Sequence, residues 1–504
     1  MVADSILGKV YGVWLNSAVF AFLYSIYAPF RRAWPNSAVV RFFHRDSLWE
    51  RAYANSFLDR IISGVCDLLL RLIGGVKKAL SPAWDGSLIV RLCSGSRILN
   101  LEFLLCAFVF LMFVIPHGFW SNPLALAAAV GFAFIYLVLA GCGKRKLMYP
   151  RELGLPFLLF AVACVVSLIF TTALGDSLRV LSFFITALLF TWVVASELSD
   201  RDKLMRFMGY IYAAVLLTAL YAVAQRFMGV EVSASFTDLD LNVGVPGRVY
   251  STLDNPNNYA EFIVLFAPLS VAYAMNARNE KLRLPLFLGL AVPMLAILMT
   301  YSRSSWLGIA LAAFVFCYYS NKKLVPLMFV ACIMLIPFLP DSVMTRLGTI
   351  FNTRDSSASH RLITWQCVLE LLGDDGHWLT GIGMGPLVFS EIFPDYAIKA
   401  ATRGVHHSQM LYMELMLETG LLGFVSFLWM MGHNIKEGGL AIYRSRDKEI
   451  KAALIGCCSA FIGIAITCVF EYIWFYPRIL FAFFILLGVL LAALRMTPKN
   501  EAIS

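Results

Sequence analysis

Two arginines and a pair of histidines are the residues of this chain best placed to do chemistry. Arg248 lies in Gly247-Arg-Val-Tyr-Ser-Thr252, and Arg303 lies in Tyr301-Ser-Arg-Ser-Ser-Trp306. A guanidinium offers a rigid planar fork of donors that matches phosphate oxygens. Downstream of Arg248 comes Asp254-Asn-Pro-Asn-Asn258, a run of turn and helix-start residues. A helix opening there puts Asn255 and Asn257 at its N-terminus, where backbone N–H groups favour an anion. With Arg248 and Arg303 this makes a candidate phosphate site. The competing reading is an arginine that snorkels from a helix end to lipid headgroups. It is stronger for Arg226, at the end of a long apolar run, than for Arg303, held between serines in a short turn.

His406-His407-Ser-Gln409 immediately precedes another apolar run. Imidazole is the usual proton acceptor near neutral pH. Adjacent histidines without carboxylate or cysteine ligands at matched spacing are a weak metal signal. Glu414 and Glu418 follow, four residues apart and hence on one helix face. Carboxylates inside an apolar helix are costly and turn to the interior. There they orient a histidine, pair with an arginine or serve structure alone.

The elements that must hold these residues are set by composition. Hydrophobic residues make up 60% of the 504 and charged residues only 14%, with a mean hydropathy of +0.75. Soluble chains carry about 25% charged residues. A soluble globule, a disordered chain and a disulfide scaffold are thereby excluded. The chain reads as an all-α polytopic membrane bundle that repeatedly crosses about 30 Å of hydrocarbon. The net charge of +9 belongs to loops beside anionic lipid, not to a nucleic-acid partner. The cysteines sit mostly inside apolar stretches, with no metal-type spacing.

Twelve apolar windows are expected to span, near 98–116, 122–140, 153–173, 178–196, 204–228, 258–277, 282–300, 304–319, 324–339, 408–431, 452–471 and 474–494. The window at 304–319 is short, as if it began inside a re-entrant turn. Alternate loops are rich in basic residues, such as Lys144, Arg145 and Lys146, or Arg444, Arg446 and Lys448. The short loops between them carry only Arg179, Arg248, Arg303 and Arg478. By the positive-inside rule both chain ends are cytoplasmic, and the candidate site residues face outward. The expected organisation is 1–97 as a cytoplasmic or interfacial region, 98–339 as nine spans, 340–407 as an external helical loop, 408–494 as three spans, and 495–504 as a tail. The external loop is long enough to form a folded cap over the outer face. Within 1–97, the stretch from Phe57 to Leu80 is basic and amphipathic. It reads either as a membrane-surface helix or as a helix packed on the protein.

Phosphate-binding loops of nucleotide type are absent. Gly381-Ile-Gly-Met-Gly385 lacks the strand–turn–helix setting, and Asp238-Leu-Asp240 falls on the side where nucleotide sugars are absent.

Several of these stretches in combination resemble the O-antigen ligase and polymerase superfamily of bacterial envelope glycosyltransferases. The resemblance covers about 98–494. It is carried by Gly247-Arg248 with Ser251-Thr-Leu-Asp-Asn-Pro-Asn-Asn-Tyr-Ala260, by Ser302-Arg303-Ser-Ser-Trp306, and by Arg361-x-x-x-Trp365. Gly381-Ile-Gly383 and His407-Ser-Gln-Met-Leu-Tyr-Met-Glu-Leu-Met-Leu-Glu-Thr-Gly-Leu-Leu-Gly423 complete it. In many members a His-Asn pair stands where this chain has Gln409-Met410, so His407 matches only the earlier histidine of the longer form.

The resemblance implies a GT-C-like membrane enzyme of the bacterial cytoplasmic membrane. It would move a glycan from an undecaprenyl diphosphate carrier to a glycan, lipid, wall or protein acceptor on the outer face, as polymerase or ligase. No metal and no nucleotide cofactor is implied. Arg248 and Arg303, with Arg361 as a third, would contact the diphosphate. His407, with His406 second, would activate the acceptor hydroxyl, and Glu418 would belong to the same machinery. The alternative is a multi-span transporter or flippase of a polar or lipid-linked substrate. Transporters usually show two related halves and interrupted helices near the midplane. No such repeat is found here.

Overall fold

Apolar stretches of this length must satisfy their backbone hydrogen bonds internally, and helices do so. The computed structural model describes residues 56–79, 100–230, 247–348, 356–396 and 405–498, with scattered positions before 56 and at 87. Most of the expected N-terminal region, and parts of both long loops, lie outside the described residues.

Among the described residues the regular structure is helical throughout. The helices, in order, are α1 (Phe57–Ala79), α2 (Leu101–Val114), α3 (Asn122–Gly141), α4 (Leu155–Val166), α5 (Leu174–Glu197) and α6 (Arg201–Met228). Then come α7 (Pro256–Met275), α8 (Glu280–Gly289), α9 (Ala291–Met299), α10 (Arg303–Ser320), α11 (Leu324–Leu335) and α12 (Asp341–Gly348). The last six are α13 (Ser356–Gly373), α14 (His377–Thr380), α15 (Pro386–Ile392), α16 (Leu411–Arg444), α17 (Lys448–Thr467) and α18 (Pro477–Arg495). Capping side chains mark many starts: Asn100 accepts from Phe103 N, Asp200 from Lys203 N, and Asp447 from Glu449 N and Ile450 N.

Every expected window holds a helix, but the count of crossings differs from twelve. Among the described residues eight helices are long and apolar enough to span: α3, α5, α6, α7, α8 with α9, α16, α17 and α18. The number rises to nine if α11 and α12, bent by 117° at their junction, are one broken span. The reason is length for α2, α4 and α11, and composition for α10, whose 18 residues open on Arg303 and two serines. α2 has 14 residues, about 21 Å at 1.5 Å per residue, which falls short of a bilayer core.

The centre of the bundle is formed by α7, α17 and α18, each buried on most of its surface. Helix α10 packs closely along α17, where Gly308 and Gly463 let the two backbones touch. Helix α5 lies along α18 and α4 along α16. The segment from α13 to α15 packs on the start of α16. It has its own core of Cys367, Val368, Leu371, Val388, Phe389 and Phe393, closed by Leu417 from α16.

Charges tie the far end of the bundle. Glu197, at the end of α5, is buried between Arg145 (2.9 Å) and Lys203 (3.0 Å), and Arg206 grips Glu102 at 2.6 Å. Helix α1 rests on that end: Lys77 donates to the Cys142 carbonyl (3.3 Å) and Tyr149 donates to Asp67 (2.6 Å). Its other face leaves Phe57, Ile61, Val65, Leu68 and Leu72 exposed.

Candidate active site

The opposite end of the bundle collects the residues singled out in the sequence. Arg248 is buried in the loop between α6 and α7. Its Nε donates to the Thr300 carbonyl at 2.6 Å and its terminal nitrogen to Asn257 Oδ1. Asn255 caps α7 by accepting from Asn257 N at 2.8 Å. Asn257 passes the contact on: its Nδ2 donates to Glu471 Oε1 at 3.2 Å. The same carboxylate oxygen takes Arg361 from α13 at 2.7 Å and the Ser304 hydroxyl from α10 at 3.4 Å. Arg346 of α12, also buried, donates from Nε to the Tyr301 carbonyl at 3.3 Å.

Four guanidiniums therefore act on one another around one acidic group. Burial is the largest cause that lowers Arg248, to about 9. The Arg346 charge adds to this, and so do Arg361 and Arg303, while Glu471 works the other way. Arg248 stays cationic at neutral pH, at a cost set by its burial. Arg361 also has a buried Nε with no partner among the described residues. A buried donor left unsatisfied costs about 1–3 kcal/mol, more when charged. An anion placed among these side chains removes that cost.

The histidine strand, 405–410, runs beside this cluster. His407 packs against the rings of Tyr472 and Phe475, with centroids at 5.6 and 4.6 Å. Burial is the main cause that pushes its imidazole down to about 4, helped by His406 and then by Arg361. The backbone N–H of Gln409 donates to His407 Nδ1 at 3.1 Å. The neutral ring then carries its hydrogen on Nε2, where it is a donor. His406 is exposed. Its Nδ1 lies 2.8 Å from Ser390 Oγ, and that hydroxyl spends its own hydrogen on the Pro386 carbonyl at 2.6 Å. Ser390 must accept from His406, so the ring carries its hydrogen on Nδ1 and presents a bare Nε2 lone pair.

The two glutamates hold this segment and the α14–α15 turn, and both line the small cavity that His406 also lines. Glu414 accepts from Ser408 N at 2.5 Å. Glu418 accepts from Gly385 N at 3.1 Å and from the Tyr472 hydroxyl at 3.0 Å. The glycines of the motifs have a steric reason. Gly420 breaks α16 with φ 62° and ψ −166°, and a Cβ there would stand 2.3 Å from the Leu379 carbonyl. The break frees Leu417 O to accept from Ile382 N at 2.6 Å, which docks the glycine-rich turn on α16. At Gly385 a Cβ would stand 2.5 Å from Asp176 Oδ2. Left-handed backbone also marks Ser251, Asp254, Tyr301 and Gln409, at φ 53°, 62°, 52° and 59°. Each such residue costs about 1–3 kcal/mol, strain of the kind that gathers at functional sites.

Arg248, Arg303 and Arg361 thus share one cluster with Asn255 and Asn257, and His407 adjoins it through Arg361. Glu471, Arg346, Gln225 and Ser390 were not singled out in the sequence. Gln225 fixes the arginine loop by accepting from Ser251 N at 2.7 Å. Glu471, an acidic residue beside the closing span, carried the one available signal, since a carboxylate there needs a cationic partner. Among the described residues no group of three or more His, Cys, Asp or Glu side chains is placed to hold a metal ion.

Residues 284–428 match the model of the O-antigen ligase family. The matched segment includes Arg303, Arg361, His406, His407, Glu414 and Glu418, whereas Arg248, Asn257 and Glu471 lie outside it. No curated protein matches the chain. Among solved structures, one chain from work described as "Structural coordination of polymerization and crosslinking by a peptidoglycan synthase complex" aligns with a TM-score of 0.40 and 16% identity. The alignment covers 68% of this chain and 98% of that one, a likeness too low to establish a shared fold.

Proposed function

We propose that this protein is a membrane glycosyltransferase that moves a glycan from a polyprenyl diphosphate carrier to an acceptor hydroxyl on the outer face of the cytoplasmic membrane, in envelope polysaccharide assembly. The carrying observation is the cluster of Arg248, Arg303, Arg346 and Arg361 around Glu471, with a buried Arg361 Nε awaiting an acceptor. A departing polyprenyl diphosphate concentrates negative charge at its phosphates, and guanidiniums stabilise that charge by bidentate contact without a metal.

His406 serves as the base, because its Nε2 lone pair is free while Nδ1–H is held by Ser390. His407 donates from Nε2–H toward the phosphate side. This reverses the order of the two histidines expected from the motif. Glu414 and Glu418 position the histidine segment and the turn beside His406. The acceptor hydroxyl gives its proton to His406, its oxygen attacks the anomeric carbon, and the bond to the diphosphate breaks with its electron pair going to the carrier.

The test is to incubate the purified protein with an undecaprenyl-diphosphate-linked glycan and an envelope extract as acceptor. Free carrier diphosphate, together with longer or relocated glycan, is expected. A transporter or flippase leaves the substrate covalently unchanged, and that outcome overturns the proposal.

A further inference from the structure

Two adjoining cavities of about 640 and 180 Å³ open on the side of the histidine strand away from the arginines. They share Arg179, Pro386, His406 and Phe475 as walls, and none of the clustered arginines lines them. Together they have the size of a small-molecule pocket, about 300–1,000 Å³.

The wall chemistry is specific. Phe475 is 40% exposed: it packs on His407, Tyr472 and Tyr476, and its open part lines both cavities. Arg179 is bound to Asp176 Oδ1 through Nε (3.1 Å) and one terminal nitrogen (2.6 Å), which neutralises its charge. Its other terminal nitrogen has no partner among the described residues. Asp176 uses its second oxygen to accept from Leu387 N at 2.9 Å. Asn122 accepts from the Trp120 indole at 3.1 Å, which leaves its amide N–H groups for a ligand. Behind the inner cavity stand Glu414 and Glu418. An open aromatic face, planar donors and no surplus positive charge suit a neutral sugar. The apolar face of a pyranose lies on the ring and its hydroxyls meet the donors.

We propose that this cleft, between Asn122, Arg179 and Phe475, is the acceptor subsite and that it holds a neutral pyranose with one hydroxyl at His406 Nε2. The inference rests on the glycosyl-transfer reading and names its acceptor class: a carbohydrate hydroxyl, not a lipid or protein one. The acceptor enters from the Arg179 side and the carrier diphosphate from the Arg361 side, with the histidine strand between them.

The test has two arms on the full-length protein in nanodiscs. In the first, saturation-transfer NMR is run with methyl β-glycosides of glucose, galactose and N-acetylglucosamine and with methyl β-glucuronide, at about 10 mM, above the millimolar Kd of a weak single-sugar site. Binding of at least one neutral glycoside is expected, lost in Phe475→Ala and Arg179→Ala, kept in Phe475→Trp, and untouched by Arg248→Ala. Binding of the glucuronide alone, no binding at all, or binding indifferent to Phe475 and Arg179 overturns the proposal. In the second arm, Phe475→Ala raises the KM for acceptor about tenfold or more and leaves the KM for the carrier-linked donor unchanged, as loss of an aromatic platform requires. A rise in donor KM instead overturns the subsite while the transferase reading stands. If the wild type releases no carrier while neutral glycosides still bind, it is the transferase reading that fails.

Discussion

Exchange of His406 for Gln removes the lone pair that faces the cleft and leaves a side chain of similar reach. A positioned base contributes about 10²–10⁴-fold, which at 1.36 kcal/mol per decade is about 2.7–5.5 kcal/mol of barrier. The kcat of H406Q is expected to fall by that factor, with donor KM little changed, because His406 makes no contact with the arginine cluster. Ser390→Ala removes only the hydrogen bond that fixes the tautomer. A neutral hydrogen bond is worth about 0.5–1.5 kcal/mol, so S390A loses roughly 2–12-fold. The assay is release of carrier diphosphate under saturating donor, run from pH 3.5 to 9. His407 supplies the contrast. Its imidazole is held down to about 4, so it stays neutral until the pH falls that far. If His407 were the base, the acid limb of the rate profile would lie at about 4 and H407Q would remove it. An acid limb at about 4, together with an H406Q protein of normal kcat, refutes the tautomer reasoning.

Arg248→Ala and Arg303→Ala each remove a charged donor from the anion cluster; at about 1.5–3 kcal/mol per charged hydrogen bond, transfer falls roughly 10–150-fold. Arg248→Lys recovers part of this, since a point charge replaces the fork, and wild-type rates in both alanine variants count against the site. Glu471→Gln removes the charge that pairs with Arg361 at 2.7 Å, and a charged hydrogen bond is worth about 1.5–3 kcal/mol. The variant should melt earlier in detergent and regain stability with added pyrophosphate; an unchanged melting temperature contradicts the cluster. Gly420→Ala forces a Cβ against the Leu379 carbonyl at a left-handed φ, which costs more than about 1 kcal/mol. The α14–α15 turn should then become sensitive to protease, and unchanged digestion disproves its docking through the α16 break.

Much of this protein was legible in its sequence because a bilayer imposes strong rules. A chain this apolar must be helical, and all twelve windows contain helices. The spacing of Arg248, Asn255 and Asn257 announced a capped helix start beside a guanidinium, and that is what α7 presents. The count of crossings was less legible, because α2 and α4 are apolar but too short, and hydropathy does not measure length to better than a turn.

Tertiary structure decided what local pattern has no way to encode. Glu471 stands more than a hundred residues from Arg361, yet one of its oxygens joins Arg361, Asn257 and Ser304. Arg346 read as a charge in a long loop and is a buried member of the cluster. The motif favoured His407, whereas the choice of tautomer depends on where Ser390 and the Gln409 backbone come to rest, and only packing of the α15 turn against the histidine strand sets that. Sequence fixes residue type and helix period within a few turns; pairing between distant charges and the direction of a lone pair are properties of the packed bundle.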